Sequence, residues 1–412
     1  MWTLMRMKTR LNLSRNLLPL GTRWLSSGTE SGKRVAAVWG NGDYGRLGLG
    51  SLDSQWKPTP LLCSAFQGQC LEAIACGGAH TLFLTDSGRV FATGLNDFGQ
   101  LGTSGDLPYA TKPVEVSGIN KQVVQISAGF ITLVLLQKME RYTWGAKAVP
   151  VPTKVECLAG ITIRMVALGS EHSVAVTDGG ESLSWGGGSG RLGHGHESGI
   201  LGIFKSTSEY TPRLIKELEG TKVKKVAAGL LHSACVDGNG SVFIFGERAV
   251  DKMKGWFNIC KGECLSLKEK GGKERLIHQN GACDNGALFP DKMYSRHFKI
   301  GECKGEEWNN ASMISKLPCS EEVACGGYHT CVLTSGGELY SWGSNENGCL
   351  GIGTTDVFHL PERVQGPFLK SPVIKVSCGW KHTAAISEGN IFTWGQLGHG
   401  TDVDYIKPTR VN

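Results

Sequence analysis

VACGGYHTCVLTSGGELYSWG (Val323 to Gly343) is one copy of a frame that recurs along this 412-residue chain. The frame holds an apolar run, the spacing G-x-x-H followed by Thr or Ser, a second apolar run, a glycine turn, and an alternating run that ends in Trp-Gly. Alternation with a period of two predicts strands with one buried face, and the turn glycines supply the positive φ of a tight hairpin. Each copy therefore predicts a β-hairpin.

The frame returns at a near-constant distance along the chain. Its Trp-Gly end, or a Thr-Gly or Phe-Gly equivalent, falls at seven glycines: Gly40, Gly94, Gly145, Gly186, Gly246, Gly343 and Gly395. Five of the six intervals measure 41 to 60 residues, and the interval from Gly246 to Gly343 measures 97. A period of roughly 40 to 50 residues with about four strands per unit is typical of a β-propeller. Seven repeat ends predict an all-β, seven-bladed β-propeller.

A glycine-rich loop follows the Trp-Gly end, as in GNGDYGRLGLG from Gly40 to Gly50. The G-x-x-H-[TS] anchor, the Trp-Gly end and the G-x-L-G loop together resemble the repeats of the regulator of chromosome condensation family. The resemblance covers most of residues 35–246 and 311–410. It implies a seven-bladed propeller whose blades lie in two parts of the chain, residues 35–246 and 311–412.

The anchor histidine occupies the same repeat position in five copies. A catalytic base is normally unique, whereas a side chain that recurs once per blade fits a structural hydrogen bond between strands. The chain also has no G-x-S-x-G, Walker A or H-E-x-x-H motif, so we do not expect an enzyme. We predict structural roles for the following repeat positions: Gly77, His80, Gly169, His172, Gly229, His232, Gly326, His329, Gly379, His382, Trp39, Trp144, Trp185, Trp342 and Trp394.

SWGGGSGRLGHG (Ser184 to Gly195) places Gly188, Gly190 and Gly193 in the spacing G-x-G-x-x-G. In a dinucleotide-binding fold this spacing follows a strand, opens a helix and precedes an acidic residue about 20 positions on. Only the preceding strand is expected here, and the stretch matches the glycine-rich loop of the other repeats. The sequence therefore predicts no cofactor, while His194 and His196 extend this loop and could shape a partner surface.

Residues 1–29 carry five basic residues and no acidic one: Arg6, Lys8, Arg10, Arg15 and Arg23. Leucines lie between these charges, and the uninterrupted apolar core of a secretory signal is missing, which is typical of a mitochondrial presequence. A disordered basic tail and a plastid transit peptide are the alternatives.

The net charge of +6 lies in the first 34 residues, where seven basic residues face one acidic residue. The rest of the chain has 36 basic and 36 acidic residues. A neutral body lacks the broad basic surface with which proteins grip many phosphates of a nucleic acid. A count of charges does not exclude a local basic patch.

Three features break the repeat. The loop QLGHG after Trp394-Gly395 is about five residues shorter than SNENGCLGIG, which follows Gly343. Residues 247–310 contain neither G-x-x-H nor Trp-Gly and have no clear strand or helix period, so we predict a disordered insertion instead of a hidden blade. Seven Trp-Gly ends are matched by six anchors, so we expect the closing C-terminal strands to be missing and the ring to be incompletely closed, with exposed sheet edges. An alternative transcript or an imperfect gene prediction would explain all three breaks.

Several of the 14 cysteines lie inside apolar runs, where they are expected to be buried as small apolar residues. A second group lies in the insertion: Cys260, Cys264, Cys283 and Cys303, with His278 and His297 nearby. Their spacing lacks the paired C-x-x-C of a structural zinc site, so no metal is predicted.

The family resemblance implies three specialised roles. One is nucleotide exchange on a small GTPase, and another is ultraviolet-B sensing through repeated G-W-R-H-T motifs. Only Gly379 to Thr383 approximates that motif here, and the other repeats carry Glu171, Leu231 or Tyr328 near the equivalent places.

The third role belongs to mitochondrial plant members, which are linked to organelle intron splicing and complex I biogenesis. With its presequence, the chain resembles this branch. We expect a non-enzymatic scaffold in the mitochondrial matrix that binds protein partners, such as RNA-processing factors, on its loop faces. The alternative is an exchange factor for a small organellar GTPase. Direct RNA contact, the binding face and the oligomeric state stay open.

Overall fold

The computed structural model of the chain describes residues 36–411 apart from 104, 106, 120–121, 131, 137–140, 146–148, 189, 196–207, 247–265, 269–273, 277–310, 316 and 397–402. Helix within these residues is limited to 3-10 turns of three or four residues: Asp43–Gly45, Cys63–Phe66, Glu156–Leu158, Lys216–Leu218 and Gly366–Leu369. No helix in the described part of the chain is long and apolar enough to cross a bilayer.

The remaining regular structure is antiparallel sheet. A two-stranded sheet comes first, with strands β1 (Ala36–Gly40) and β2 (Gln55–Leu61). Three four-stranded sheets follow: β3 (Leu71–Cys76), β4 (His80–Thr85), β5 (Val90–Leu95) and β6 (Tyr109–Glu115); β7 (Gln125–Ala128), β8 (Thr132–Leu136), β9 (Arg141–Gly145) and β10 (Val149–Lys154); and β11 (Ile163–Leu168), β12 (His172–Thr177), β13 (Ser182–Gly186) and β14 (Glu209–Leu214).

Three more four-stranded sheets lie in the second half of the chain. The first combines β15 (Val223–Ala228), β16 (His232–Asp237) and β17 (Val242–Gly246) with β20 (Ser312–Met313), while β18 (Ser266–Lys268) and β19 (Glu274–Leu276) pair only with each other. The last two sheets are β21 (Ser320–Cys325), β22 (His329–Thr334), β23 (Leu339–Gly343) and β24 (Phe358–Arg363), followed by β25 (Val373–Cys378), β26 (His382–Ser387), β27 (Asn390–Gly395) and β28 (Tyr405–Arg410).

The hairpins predicted from the repeat are confirmed. Each anchor histidine begins the second strand of its sheet and lies opposite the glycine of the Trp-Gly end, as in the pairs His172 with Gly186 and His329 with Gly343. The distance from anchor to Trp-Gly in the sequence is therefore the register of the central hairpin.

Burial differs along each sheet from first to fourth strand. All six residues of β4, β12, β16, β22 and β26 are buried, because neighbouring sheets cover both faces of the second strand. The fourth strands are partly exposed, and β24 and β28 contain Pro361 and Pro408. Proline is tolerated there because an edge strand has N–H groups that no neighbour needs.

The first strands of successive sheets contact one another, β3 with β7, β7 with β11, β11 with β15, β15 with β21, and β21 with β25. These six strands therefore lie in one row along the inner side of the sheets, called the inner ring from here on, and the cores lie between adjacent sheets. An all-β propeller is the architecture that results, as the repeat predicted.

The sheet β1–β2 is packed on two sides. Val38 lies in one apolar cluster with Phe83 and Phe91, and Trp39 lies in another with Ala384 and Ile391. The first and last four-stranded sheets thus both contact β1–β2. The described residues show six four-stranded sheets and the two-stranded sheet β1–β2, so the predicted seven blades are shown only in part. One of the six sheets, β15–β16–β17–β20, ends in a two-residue strand.

The predicted insertion lies between β17 and β20, which pair through Ile244 and Ser312. Its two ends therefore belong to one sheet. The short hairpin β18–β19 is regular structure within it that the sequence did not predict. Most of residues 247–310 and the predicted presequence at 1–29 lie outside the described residues, so both stay predictions.

Candidate interaction site at the anchor turns

The anchor turn joins the first and second strand of each sheet at the inner ring. Its histidine side chain is almost fully buried in all five copies, with 1 to 3% of the residue exposed: His80, His172, His232, His329 and His382. None of these imidazoles faces solvent, so their recurring role has to be sought inside the fold.

Three of these histidines bind the hydroxyl that follows the anchor of the next sheet. The Nε2 atom lies 2.8 Å from Ser233 Oγ for His172, 3.0 Å from Thr330 Oγ1 for His232, and 2.9 Å from Thr383 Oγ1 for His329. Each of these G-x-x-H-[TS] motifs can therefore take part in two contacts. Its histidine contacts the hydroxyl of the following sheet, and its own hydroxyl is contacted by the histidine of the preceding sheet.

The hydroxyl also fixes the tautomer. Ser233 Oγ donates to the Arg191 carbonyl at 2.9 Å, and Thr383 Oγ1 donates to the Cys349 carbonyl at 2.7 Å. Since a hydroxyl has one proton, Nε2 of His172 and His329 must be the donor in these pairs. Both carbonyls lie in the glycine-rich loop after Trp-Gly, so the two sequence motifs meet between sheets.

Burial lowers the pKa of His80, His172 and His329 to about 3, lowers that of His232 to about 4, and holds that of His382 well below its ordinary value. The five imidazoles are therefore neutral near pH 7. A buried and neutral imidazole fits a structural role, which stays a prediction for the anchor.

The anchor glycine leaves room for its own histidine and for the neighbouring turn. A Cβ on Gly326 would overlap the His329 ring and would lie 2.6 Å from the carbonyl oxygen of Gly379 in the next sheet. The strand-end Gly343 has a φ of +113° and would bring a Cβ to 2.8 Å from the Cα of His329. Glycine is thus required at both positions of the repeat, because two chain segments approach too closely there to leave room for a Cβ atom.

Backbone hydrogen bonds connect successive anchor turns. Five N–H groups donate to the next turn: Gly78 to Gly129 (3.2 Å), Phe130 to Gly169 (3.1 Å), Ser170 to Gly229 (3.3 Å), Leu230 to Gly326 (3.3 Å) and Gly327 to Trp380 (3.1 Å). These bonds form a belt through six sheets. The belt includes the degenerate copy, where Thr132 takes the place of the histidine opposite Gly145, because it needs only backbone groups.

The belt surrounds a small pocket with an apolar rim. The residues that follow five of the six anchor glycines line this pocket, and Phe130, Leu230 and Trp380 provide its large side chains. Phe130 is 42% exposed and Trp380 37% exposed, and their rings meet edge to face with centroids 6.2 Å apart. Two sheets far apart in the sequence thus present one exposed aromatic pair.

Comparison with known proteins agrees with this geometry. The Regulator of chromosome condensation (RCC1) repeat matches residues 38–84, 87–130, 180–236 and 336–386, and a second form of the same repeat matches residues 72–100 and 321–349. The Ultraviolet-B receptor UVR8 of Arabidopsis thaliana is 32% identical over 392 residues, which cover 90% of this chain and 76% of the receptor. This chain belongs to the regulator of chromosome condensation repeat family.

Two further proteins resemble this repeat protein. The Secretion-regulating guanine nucleotide exchange factor of Mus musculus is 28% identical over 386 residues, which cover 91% of this chain and 62% of the exchange factor. The crystal structure of Prp20p from Saccharomyces cerevisiae, reported with its binding properties to Gsp1p and histones, superposes with a TM-score of 0.67 at 20% identity. It covers 92% of this chain and 85% of that one. The second likeness concerns the fold alone.

Residues of the glycine-rich stretch SWGGGSGRLGHG contact other parts of this repeat protein. The Arg191 carbonyl accepts a hydrogen bond from Ser233 Oγ, and Arg191 Nη1 donates to Ser170 Oγ at 3.2 Å. His194 Nε2 lies 3.0 Å from Ser184 Oγ, and burial lowers its pKa. His194 therefore fixes the loop, and the open question of a partner surface at His196 falls outside the described residues.

The tryptophans that precede the strand-end glycine differ in their surroundings. Trp39, Trp342 and Trp394 are fully buried, and Trp394 Nε1 donates to the Cys349 carbonyl at 2.8 Å. Trp185 is half-buried and packs against a core cluster, and the side chain of Trp144 lies outside the described part. Burial supports structural roles for the four that are described.

Cysteines of this repeat protein gather between the last two sheets. His329, Cys331 and Cys378 bring ligand atoms within 4.8 Å of one another. However, His329 Nε2 is already bound to Thr383, and burial raises the pKa of Cys378 strongly and that of Cys349 to about 12. Protonated thiols pack as small apolar groups, as predicted for cysteines within apolar runs. The cysteines from Cys260 to Cys303, for which the sequence predicts no metal, lie outside the described residues.

The sequence did not reveal the pocket. Trp380 belongs to a near G-W-R-H-T motif, and the equivalent positions in the other sheets are Gly78, Phe130, Ser170, Leu230 and Gly327. Three of them lie one residue before Glu171, Leu231 and Tyr328, which stand near the equivalent places in the sequence comparison. A comparison of the residue after each anchor glycine across all copies would have identified the rim.

Proposed function

We propose that this chain is a non-enzymatic propeller scaffold that binds a protein partner at the anchor-turn pocket. The observation that carries the proposal is the exposed pair Phe130 and Trp380, whose rings contact each other at the pocket. The repeated histidines are buried and are not available to a partner. Exposed aromatic side chains at the centre of an apolar rim are the residues on which protein interfaces depend most.

The ring itself is proposed to have seven positions. The support is the packing of β1–β2 between the first and the last four-stranded sheet through Val38 and Trp39. In this arrangement β1–β2 occupies the seventh position, and the binding surface at the inner ring is held in a fixed shape by its neighbours.

We place the scaffold in mitochondria, where it would support intron splicing and complex I biogenesis by binding RNA-processing factors. The support is the basic, acid-free composition of residues 1–29 and the resemblance to mitochondrial plant members of the family. A plastid address is the alternative. The neutral charge of residues 35–412 favours protein partners over extended RNA contact.

A second function is nucleotide exchange on a small organellar GTPase. The 28% identical exchange factor of Mus musculus favours it, although this chain spans only 62% of that protein. The same surface could serve either function, so the partner has to be identified by experiment.

The test is crosslinking and co-purification from mitochondria with the wild-type chain and with the double variant Phe130→Ala, Trp380→Ala. We expect RNA-processing factors with the wild type and their loss, by about tenfold or more, with the double variant, because hot-spot aromatics each contribute about 2 kcal/mol. The control is Tyr210→Ala on the outer strand β14, where the residue is 92% exposed.

Retention of the same partners by the double variant would refute the pocket as the binding site. Recovery of a GTPase whose nucleotide release the chain accelerates, without splicing factors, would replace the scaffold with the exchange factor. Absence of the chain from mitochondria and its presence in plastids would overturn the proposed address.

A further inference from the structure

Charged side chains lie near the beginnings of the first strands in four consecutive sheets. They are Arg164 on β11, Lys224 and Lys225 on β15, Glu322 on β21 and Lys375 on β25. Lys225, Glu322 and Lys375 each follow the irregular pairing step at the start of their strand, so they hold equivalent positions.

These side chains come together although their sheets follow one another around the ring. The Lys225 ammonium interacts electrostatically with Glu322, Lys375, Arg164 and Lys224. Groups from four consecutive sheets can share one neighbourhood only near the axis of the inner ring. The cluster is thus roughly 13 Å along the strand from the anchor turns, since Gly229 follows Lys225 by four positions.

The charges in this cluster do not balance. Four cations face one carboxylate, and Glu322 is already paired with Lys375. Arg164 uses one Nη2 donor on the Val223 carbonyl at 2.6 Å, and its other donors have no hydrogen-bond partner among the described residues. Lys225 is half-buried, and among the described residues its ammonium has neither a hydrogen bond nor an ion pair.

Burial lowers the pKa of Lys225, and the neighbouring Lys375 and Arg164 act in the same direction while Glu322 opposes them. A partly desolvated ammonium beside other cations is unfavourable unless an anion joins it. The near-neutral total charge of the body makes this local excess stand out.

We propose that Arg164, Lys224 and Lys225 bind a phosphate group at the inner ring. A phosphate dianion matches several cations that converge on one point, and its oxygens accept hydrogen bonds from both ammonium and guanidinium groups. A single carboxylate would leave part of the excess charge unbalanced. The phosphate is either free or the terminal group of a nucleotide, and this site is independent of the protein partner proposed above.

The experiment is calorimetric titration of the full chain with sodium pyrophosphate, inorganic phosphate and a nucleoside diphosphate, each compared with sodium chloride at equal ionic strength. We expect saturable binding of the phosphates and none of chloride. Stronger binding of the diphosphate nucleotide than of pyrophosphate would identify the nucleotide as the source, and the opposite order would identify a free phosphate.

The variant Lys225→Met keeps the apolar stem and removes the charge, while Lys216→Met removes an exposed lysine of the same sheet region. We expect Lys225→Met to weaken pyrophosphate binding about tenfold or more, which corresponds to the loss of a charge-assisted hydrogen bond, and Lys216→Met to leave it unchanged. Without anion, Lys225→Met should raise Tm, since it removes an unpaired cation. Equal binding by both variants, or by chloride and pyrophosphate, would overturn the site.

Discussion

Gly326→Ala is expected to prevent folding of the chain or to lower the free energy of unfolding by about 3 kcal/mol or more. The new methyl group would overlap the ring of His329 and would lie 2.6 Å from the Gly379 carbonyl of the next sheet. Neither neighbour can yield easily, because His329 is held by Thr383 and the turn at Gly379 belongs to the backbone belt.

The matched control for this variant is Gly336→Ala in the same sheet, where the nearest atom to a Cβ is Thr334 Oγ1 at 3.8 Å and φ is ordinary. Urea unfolding followed by tryptophan fluorescence measures both. We expect the control to stay within about 1 kcal/mol of the wild type. Equal stability of the two variants would mean that the anchor glycine is not required by close packing.

Stability is expected to fall steeply when the pH drops below about 6.5. In the unfolded chain each histidine titrates near pH 6.5, whereas burial lowers the folded pKa of His80, His172 and His329 to about 3 and that of His232 to about 4. Below pH 6.5 the unfolded state therefore binds protons that the folded state does not, and folding loses about 1.4 kcal/mol per pH unit for each such histidine.

His80 is the residue with which to measure this effect, because neither ring nitrogen has a hydrogen-bond partner among the described residues. Urea unfolding of the wild type and of His80→Gln between pH 7.5 and pH 4.5 gives the slope of stability against pH. We expect the slope of the variant to be lower by about 1.4 kcal/mol per pH unit below pH 6, whatever its stability at pH 7.5. Parallel slopes would show that His80 titrates in the folded chain as it does in the unfolded one.

The hairpins could be predicted from the sequence because their contacts are local. The anchor histidine and the strand-end glycine are separated by one tight turn, so their spacing is also their register, as in His329 with Gly343. The partners of the histidines could not be predicted in the same way. His232 and Thr330 are 98 residues apart, and only the order of sheets around the ring brings them together.

The binding surfaces at the inner ring could not be predicted from the sequence for a related reason. Phe130 and Trp380 belong to sheets that are not neighbours in the sequence, and Lys225 meets charges from three other sheets. A repeat shows which residues are alike, whereas binding surfaces of a propeller are made where copies differ. The number of strands in each sheet could not be predicted from the repeat alone. The sheet β1–β2 has only two strands, and it packs against sheets on both sides.

The anchor motif joins one sheet to the next through a hydrogen bond, as between His329 and Thr383. A double-mutant cycle with His329→Ala and Thr383→Val, measured by urea unfolding at pH 7.5, tests it, with a control cycle that pairs His329→Ala with Thr409→Val on the edge strand β28. We expect a coupling energy of about 1 kcal/mol or more for His329 with Thr383 and none for His329 with Thr409. A coupling within error of zero for His329 and Thr383 would mean that this hydrogen bond does not join the two sheets.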